Sequence, residues 1–386
     1  MIELLFWAAV AVLFYTYIGY GLLAALLVKL RGERPAPPAF AEADLPEVTV
    51  VIPAYNEEAW IGEKIRNTLA LDYPSEKLEV VVVADGSTDR TFEVAQAVPG
   101  VAAFFEPERR GKVAAMHRVL AHVATPIVVF TDANAMLEPD ALRQLVAPFA
   151  DPEVGAVAGE KRVSTSAAGT AGEGLYWRYE SALKRLDSRL GSVVGAAGEL
   201  FAMRTALVPD VEPDTVLDDF VLTLRVAEAG HRVAYAPNAA ATEGPSASME
   251  DEWTRKVRIC AGGWQAMARL RGLLNPFRHG LLTFQYVSHR VLRWTLAPAL
   301  LPLVYAFNVA LAGAAPVYTW LLVAQLAFYA VALLGWVLRD MEVPVRGFRL
   351  PLYVVFMHAA VFPGVVRFLT GRQSVNWARA ARAVAD

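Results

Sequence analysis

Two stretches without a charged side chain limit what this chain can fold into. The first runs from Leu4 to Val28, the second from Trp294 to Leu338. A hydrocarbon core about 30 Å thick is crossed by ~20 apolar residues in a helix. The first stretch therefore supplies one span. The second supplies two, with a break near "AGAAP" at 312–316. A shorter candidate, Leu350 to Val366, carries Pro351, His358 and Pro363 and reads as a span or a re-entrant segment. These ends account for a mean hydropathy of +0.35 in a chain that is 19% charged. The middle reads as water-soluble. A net charge of −3 gives no basic field for nucleic acid, which is excluded as a partner. The single cysteine, Cys260, excludes an intramolecular disulfide and a Cys-rich zinc site, and reads as a small buried hydrophobe.

Basic residues predict orientation. Lys29, Arg31 and Arg34 follow the first run directly, which places the chain beyond it on the cytosolic side. A cleaved signal peptide is the poorer reading, because the run is too long and its positive charges follow it. The expected organisation is a membrane helix with basic flank (1–34), a linker stiffened by Pro35, Pro37, Pro38 and Pro46 (35–46) and an α/β domain (47–260). Interfacial amphipathic helices (261–293), a C-terminal membrane region (294–370) and a basic tail (371–386) complete it. In the interfacial segment Arg269, Arg271, Arg278, His289, Arg290 and Arg293 are expected to lie near lipid phosphates. Three full C-terminal spans would put Arg367, Arg372, Arg379 and Arg382 outside, against the positive-inside tendency.

In the middle, "EVTVVIPAY" and "LEVVVVADGS" are β-branched runs that end in turn or polar residues. "NEEAWIGEKIRNTLAL" between them has helical spacing, and "PIVVFTDAN" is a third strand. Alternating strands and helices predict a mostly parallel, Rossmann-like sheet. Ligands bind beyond the carboxyl ends of such strands. Tyr55, Asn56, Glu57, Asp85 and Asp132 all fall at those ends. A dinucleotide or P-loop site is excluded: no G-x-G-x-x-G follows a strand, and Glu106 stands where the first P-loop glycine before Gly111-Lys112 would be.

Seven segments occur in a telling order: "VVIPAYNEE" (50–58), "VVVADGSTDRT" (81–91), "RRGKVAAMH" (109–117), "VVFTDAN" (128–134), "AAGELFAMR" (196–204), "LDDFVLTLRVAEAGHRVAYAPNA" (217–239) and "GRQSVNWARAAR" (371–382). Together they resemble family 2 glycosyltransferases of the GT-A fold. The similarity is greatest to the membrane-integrated branch with cellulose, hyaluronan and poly-N-acetylglucosamine synthases and ceramide glucosyltransferase. The resemblance implies an inverting transferase at the cell's inner or plasma membrane. Its donor would be a nucleotide sugar, UDP-linked in most of the branch, and its acceptor a polysaccharide or a lipid-linked group. Polysaccharide-export partners would follow for a polymer product.

Residue by residue, the resemblance implies a nucleoside slot at Pro53, Tyr55 and Glu57. Asp85 would contact base and ribose, since a carboxylate accepts their protons well; the alternative is a turn role in "DGS". Lys112 would lie near the nucleotide, or else be a solvated charge. Asp132 would ligate Mg²⁺ or Mn²⁺ at the diphosphate. Asn134 stands where a second acid is usual, and either ligates through its amide oxygen or is a turn residue. Asp219 would be the catalytic base. Its neighbour Asp218 is also placed to cap a helix. Arg255 and Arg258 fall in the place of Q-x-x-R-W: Arg258 keeps the basic residue that meets the leaving diphosphate, whereas Arg255, expected at the nucleotide-sugar donor, and Ile259 replace Gln and Trp. Trp264 reads as an interfacial anchor. His231, in "AGHRVAY", reads as a helix–strand turn and a weaker candidate base. Two other readings are a single-addition transferase acting on a lipid or polyprenyl phosphate, and a catalytically inactive membrane scaffold. The scaffold suffers from membrane segments that lack acids for ion relay.

Overall fold

The computed structural model describes residues 1–32, 40–164, 171–244, 248–338 and 346–375. Pro35, Pro37 and Pro38, Arg379 and Arg382 therefore lie outside the described residues, as does most of "GRQSVNWARAAR".

The middle of the chain folds around one eight-stranded sheet. In chain order the strands are β1 (Val48–Ala54), β2 (Leu78–Asp85), β3 (Val101–Glu106), β4 (Ile127–Phe130), β5 (Met136–Leu137), β6 (Val154–Val163), β7 (Phe201–Arg204) and β8 (Arg232–Glu243). Their spatial order is β3-β2-β1-β4-β7-β6-β8-β5. β1 pairs in parallel with β2 and β4, β2 with β3, and β6 with β8. β7 runs antiparallel to β4 and β6, and β5 to β8. The sheet is thus mixed, although every strand except β5 and β7 points the same way. The sequence gives no sign of the reversal at β7, which matters for the site. Phe201, the first residue of β7, pairs with Phe130, the last of β4. The residues just before β7 are thereby delivered to the carboxyl edge where Asp132 emerges.

The valine runs are buried on both faces, as strands covered on both sides must be. One core lies under the helices Glu58–Leu69 and Ala141–Val146; the other gathers Met116, Phe130, Phe201, Val221 and Leu224.

Among the described residues three helices are long and apolar enough to cross a membrane: Ile2–Arg31, Pro316–Val337 and Leu350–Leu369. Leu281–Trp294 and Leu296–Leu311 form a pair bent by 52°, which makes a fourth if counted as one broken span. The break expected at 312–316 separates Leu311 from Pro316. The helix Met249–Arg269 runs without interruption through residue 260.

The apolar helices and the bent pair grip the α/β domain through buried polar contacts. Tyr20, Ala24 and Val28 pack on Leu183 and Leu190 of the helix Ala171–Leu190. Asp187 of that helix accepts hydrogen bonds from the Tyr20 hydroxyl and, through its backbone oxygen, from Gln285 Nε2 at 2.9 Å. His289 Nδ1 lies 2.5 Å from its other carboxylate oxygen. His289 is fully buried, and Arg290 and Arg293 both pair with Glu180. The expectation that these three side chains lie among lipid phosphates is therefore corrected. Each has a carboxylate inside the protein, which compensates the cost of burying a charge. Trp264, expected as an interfacial anchor, instead packs against the core beneath the helix Asp218–Glu228.

Candidate active site

The site grows from three strand ends and one helix start. Asp132 follows β4 in a tight turn closed by the Ala135 amide, which donates to the Asp132 carbonyl at 3.2 Å. Lys64, fully buried in the helix Glu58–Leu69, braces this turn. Its ammonium donates to Thr131 Oγ1 at 2.9 Å and to the Ala135 carbonyl. Thr131 Oγ1 donates in turn to the Glu199 carbonyl at 2.7 Å. One buried lysine thus ties the Asp132 turn to the segment that precedes β7. Burial pulls the Lys64 ammonium down to about 7, against the opposing field of Asp132.

Lys112 opens the helix Lys112–Leu120, and its Nζ reaches Asp132 Oδ1 at 2.7 Å. The same Nζ lies 3.1 Å from Asp218 Oδ2, an ion pair whose angle does not make a hydrogen bond. Burial alone would lower the Lys112 ammonium; Asp132 and Asp218 outweigh it and hold the proton firmly. Asp218 and Asp219 form the first turn of the helix Asp218–Glu228, where backbone N–H groups favour negative charge. Burial, followed by the charge of Asp218, raises the Asp219 carboxyl to about 7, although Lys112 opposes the shift.

Gly198 lies at the centre of this group. A Cβ there would be 3.1 Å from Lys112 Nζ, 3.7 Å from Asp132 Oδ2 and 3.8 Å from Asp219 Oδ2. The missing side chain leaves open a small space bounded by an ammonium and two carboxylates. Glu199 follows and joins a buried chain of alternating charges. Lys161 pairs with Glu199 and Glu243, and Arg255 with Glu243 and Glu252. Lys256 pairs with Glu252 at 3.2 Å. Burial would raise the Glu199 carboxyl, but Lys161 holds it at about 2.

Arg255, expected at the donor, is thus held by two carboxylates, with Nε donating to Glu252 Oε2 at 2.9 Å. Arg258, one turn on, faces the acids. Burial lowers its guanidinium to about 10, while Asp218 and Asp132 push the other way. The helix carrying both arginines comes close because residue 262 is glycine: a Cβ there would meet Leu217 and Val216 at 2.8 Å, in the loop that leads into Asp218.

The remaining expected residues gather on the other side of the Lys112 loop. Asp85 is 4% exposed, and Oδ2 accepts from the amides of Arg110 at 3.0 Å and Gly111 at 2.7 Å. Arg118 Nη2 donates to its Oδ1 at 3.2 Å. In this state Asp85 shapes the Lys112 loop. The Tyr55 ring carries the Arg109 guanidinium 3.5 Å from its centroid. Asn56 has a positive φ of 53°, and its Oδ1 accepts from the Thr88 amide at 2.8 Å. The Glu57 amide donates to Thr91 Oγ1 at 2.8 Å. Pro53 lies in β1 opposite Val83 of β2. Asn134 lies in the turn after Asp132, and His231 in the turn before β8.

A cavity of about 820 Å³ is shared by the acids and the apolar helices. Its lining includes Lys112, Asp132, Asp218, Asp219 and Arg258 together with Leu301, Leu350, Val354, Met357 and Val361. Lys161, Trp177, Glu180 and Lys184 also line it, and no sequence signal marked them.

A family model described as "Glycosyltransferase like family 2" matches residues 46–262. The chain belongs to glycosyltransferase family 2. This transferase chain is 31% identical over 284 residues to beta-monoglucosyldiacylglycerol synthase of Synechocystis sp., a match covering 69% of the chain and 58% of that relative. It is 27% identical over 235 residues to poly-beta-1,6-N-acetyl-D-glucosamine synthase of Staphylococcus aureus, covering 58% of the chain and 57% of the relative. The chain thus spans less than two thirds of the length of these relatives. In three dimensions it resembles the mannosyltransferase PcManGT from Pyrobaculum calidifontis, solved with GDP-Man and Mn²⁺. The TM-score is 0.74 at 26% identity, covering 96% of this chain and all of the other. The fold is the GT-A fold of glycosyltransferases.

The space over Gly198 gives a direct test. Gly198→Val would fill it with three carbons at a position whose backbone is unstrained. Nucleotide-sugar affinity, measured by calorimetry on the full chain in detergent, should fall by about tenfold or more, the equivalent of ~1.4 kcal/mol. The melting temperature should stay near that of the native protein. Unchanged affinity would place the donor elsewhere.

Proposed function

We propose that this family 2 enzyme moves a sugar, with inversion, from a nucleoside diphosphate to a hydroxyl of a membrane-lipid acceptor, one sugar at a time. The observation that carries the acceptor class is the cavity. Its lining joins Asp219 to side chains of helices apolar enough to lie in a bilayer. A hydrocarbon tail would fit against those side chains, which would leave the acceptor hydroxyl at the acids. A growing polysaccharide, the alternative acceptor, has no use for an apolar wall. An inactive scaffold has no use for a carboxyl poised near neutrality.

The chemistry follows from the residues. The acceptor oxygen forms a bond to the sugar's anomeric carbon as the bond to the diphosphate oxygen breaks on the opposite face. Asp219 takes the hydroxyl proton, and the nucleoside diphosphate leaves with the electron pair. A base near pH 7 is well matched to this task. Lys112 and Arg258 stabilise the charge that develops on the diphosphate. Arg255 keeps Arg258 in place through its pairing with Glu252 and Glu243. Tyr55, Glu57, Pro53 and Asp85 form the nucleoside slot, UDP being the preferred donor. Asp132 with Asn134 would hold Mg²⁺ or Mn²⁺. Among the described residues no three His, Cys, Asp or Glu side chains converge as a metal cage. One carboxylate beside the space at Gly198 nonetheless suits an ion that takes most of its oxygens from phosphates and water. Such an ion would neutralise diphosphate charge. The α/β domain faces the cytosol, as the basic residues after the first helix favour.

Asp219→Asn keeps the shape of the side chain and removes its basicity. Turnover should drop roughly 10²-fold or more, the size of a lost general base, with donor affinity little changed. In the native enzyme kcat/KM should climb as pH rises through about 7, because only the deprotonated carboxyl accepts the proton. That limb should vanish in the variant. Near-normal turnover of Asp219→Asn would remove Asp219 from the mechanism. A second outcome concerns the cation: EDTA should abolish turnover, and Mn²⁺ or Mg²⁺ should restore it. Full activity in EDTA would leave Lys112 and Arg258 as the cations on the diphosphate.

A further inference from the structure

Lys184, which lines the cavity, has no assigned role in the transfer. It lies on the helix Ala171–Leu190 and is 2% exposed. Among the described residues its ammonium makes no hydrogen bond and no ion pair. It faces the rings of Trp177 at 5.8 Å and Tyr235 at 5.9 Å.

The neighbouring carboxylates are engaged elsewhere. Glu180, one turn before Lys184, holds Arg290 and lies 3.2 Å from Arg293 Nη1. Glu160 on β6 accepts from Ser181 Oγ at 2.7 Å and from the Tyr235 hydroxyl. Asp187 is taken by Tyr20 and His289, and Glu199 by Lys161. Burying an ammonium without a counter-charge is costly, and natural proteins rarely do so without a partner. Burial lowers the Lys184 ammonium, while Glu180 and Glu160 oppose the shift. A cation of this kind inside a cavity is matched by an anion that arrives with the ligand.

We propose that Lys184 binds an anionic group, a phosphate joined to hydrocarbon, on the acceptor lipid that occupies this cavity. The inference rests on the membrane-lipid acceptor proposed above and narrows it from lipids in general to phosphate-bearing ones. The phosphate sits at Lys184, beside Trp177, with the tail among Leu350, Val354 and Val361. The reactive hydroxyl extends from the phosphate toward Asp219. Two sources share this chemistry and carry a hydroxyl beyond the phosphate, a glycerophospholipid through its head group and a saccharide carried on a polyprenyl phosphate.

The test reads binding and not turnover. The full chain in detergent is titrated by native mass spectrometry with phosphatidylglycerol, a polyprenyl phosphate and diacylglycerol. At least one phosphate lipid should bind about tenfold or more tightly than diacylglycerol, as a charge-assisted contact in a dry site implies. Lys184→Met, which keeps the apolar length and removes a buried charge, should abolish that preference without loss of folding. Lys184→Arg should restore most of it. A preference for phosphatidylglycerol names a phospholipid source; a preference for the polyprenyl phosphate names the other. Diacylglycerol binding as tightly as both phosphate lipids would overturn the proposal, and so would full phosphate-lipid affinity in Lys184→Met. Either result would leave the transferase reading to stand or fall on Asp219→Asn.

Discussion

The structure depends on one ammonium, that of Lys112, held between Asp132 and Asp218. Three segments far apart in sequence meet there: the loop after β3, the turn after β4 and the start of the helix Asp218–Glu228. Without a cation, the four carboxylates of Asp132, Asp218, Asp219 and Glu199 would repel one another across a poorly hydrated space. Lys112 pairs with Asp132 and Asp218, and burial together with the charge of Asp218 bears on Asp219. Its carboxyl is the one pushed toward neutrality. In the proposed mechanism the same arrangement would stabilise the leaving-group side and prepare the acceptor side, as pKa tuning by burial and like charge does in other acid–base sites.

Much of this was legible in the sequence. The valine-rich strands announced a covered sheet, and the polar residues at their ends announced the site edge. The order of the short motifs gave the family. Lys112, Asp132, Asp218, Asp219 and Arg258 do come together. The roles of other residues depended on partners that no local pattern reveals. Arg255 faces Glu243, 12 residues earlier but on another element. Lys161 meets Glu243 across 82 positions. His289, Arg290 and Arg293 looked like interfacial cations because their carboxylates, Asp187 and Glu180, lie about a hundred residues upstream on a helix with an ordinary surface composition. The antiparallel entry of β7 was also hidden, since a four-residue strand carries no directional signal. Gly198 could have been suspected, as it sits in a quoted motif, but the space above it exists only once three other segments have assembled.

Membrane and catalytic parts are not joined as independent units. The first membrane helix packs along the helix Ala171–Leu190, and that helix supplies Glu180, Lys184 and Asp187 from successive turns. Glu180 and Asp187 hold the bent helix pair at 281–311, while Lys184 faces the cavity between them. The last apolar helix closes against the helix that bears Arg255 and Arg258, where Gly364 lies so near Cys260 that a Cβ would meet it at 2.6 Å. Cys260 is a small buried hydrophobe at this crossing, its thiol raised to about 12 by burial. A lipid entering between these helices would touch elements that also position the arginines, so that in the proposed mechanism acceptor binding and leaving-group stabilisation would share one scaffold.

The central claim is that the cavity delivers a lipid hydroxyl to Asp219. The most direct measurement follows labelled sugar from a panel of UDP- and GDP-sugars, incubated with the full chain in native membranes, into products resolved by mass spectrometry. The expected product is soluble in organic solvent and is a lipid heavier by one sugar. Label found only in a long water-soluble polymer, or only as free sugar, would contradict it.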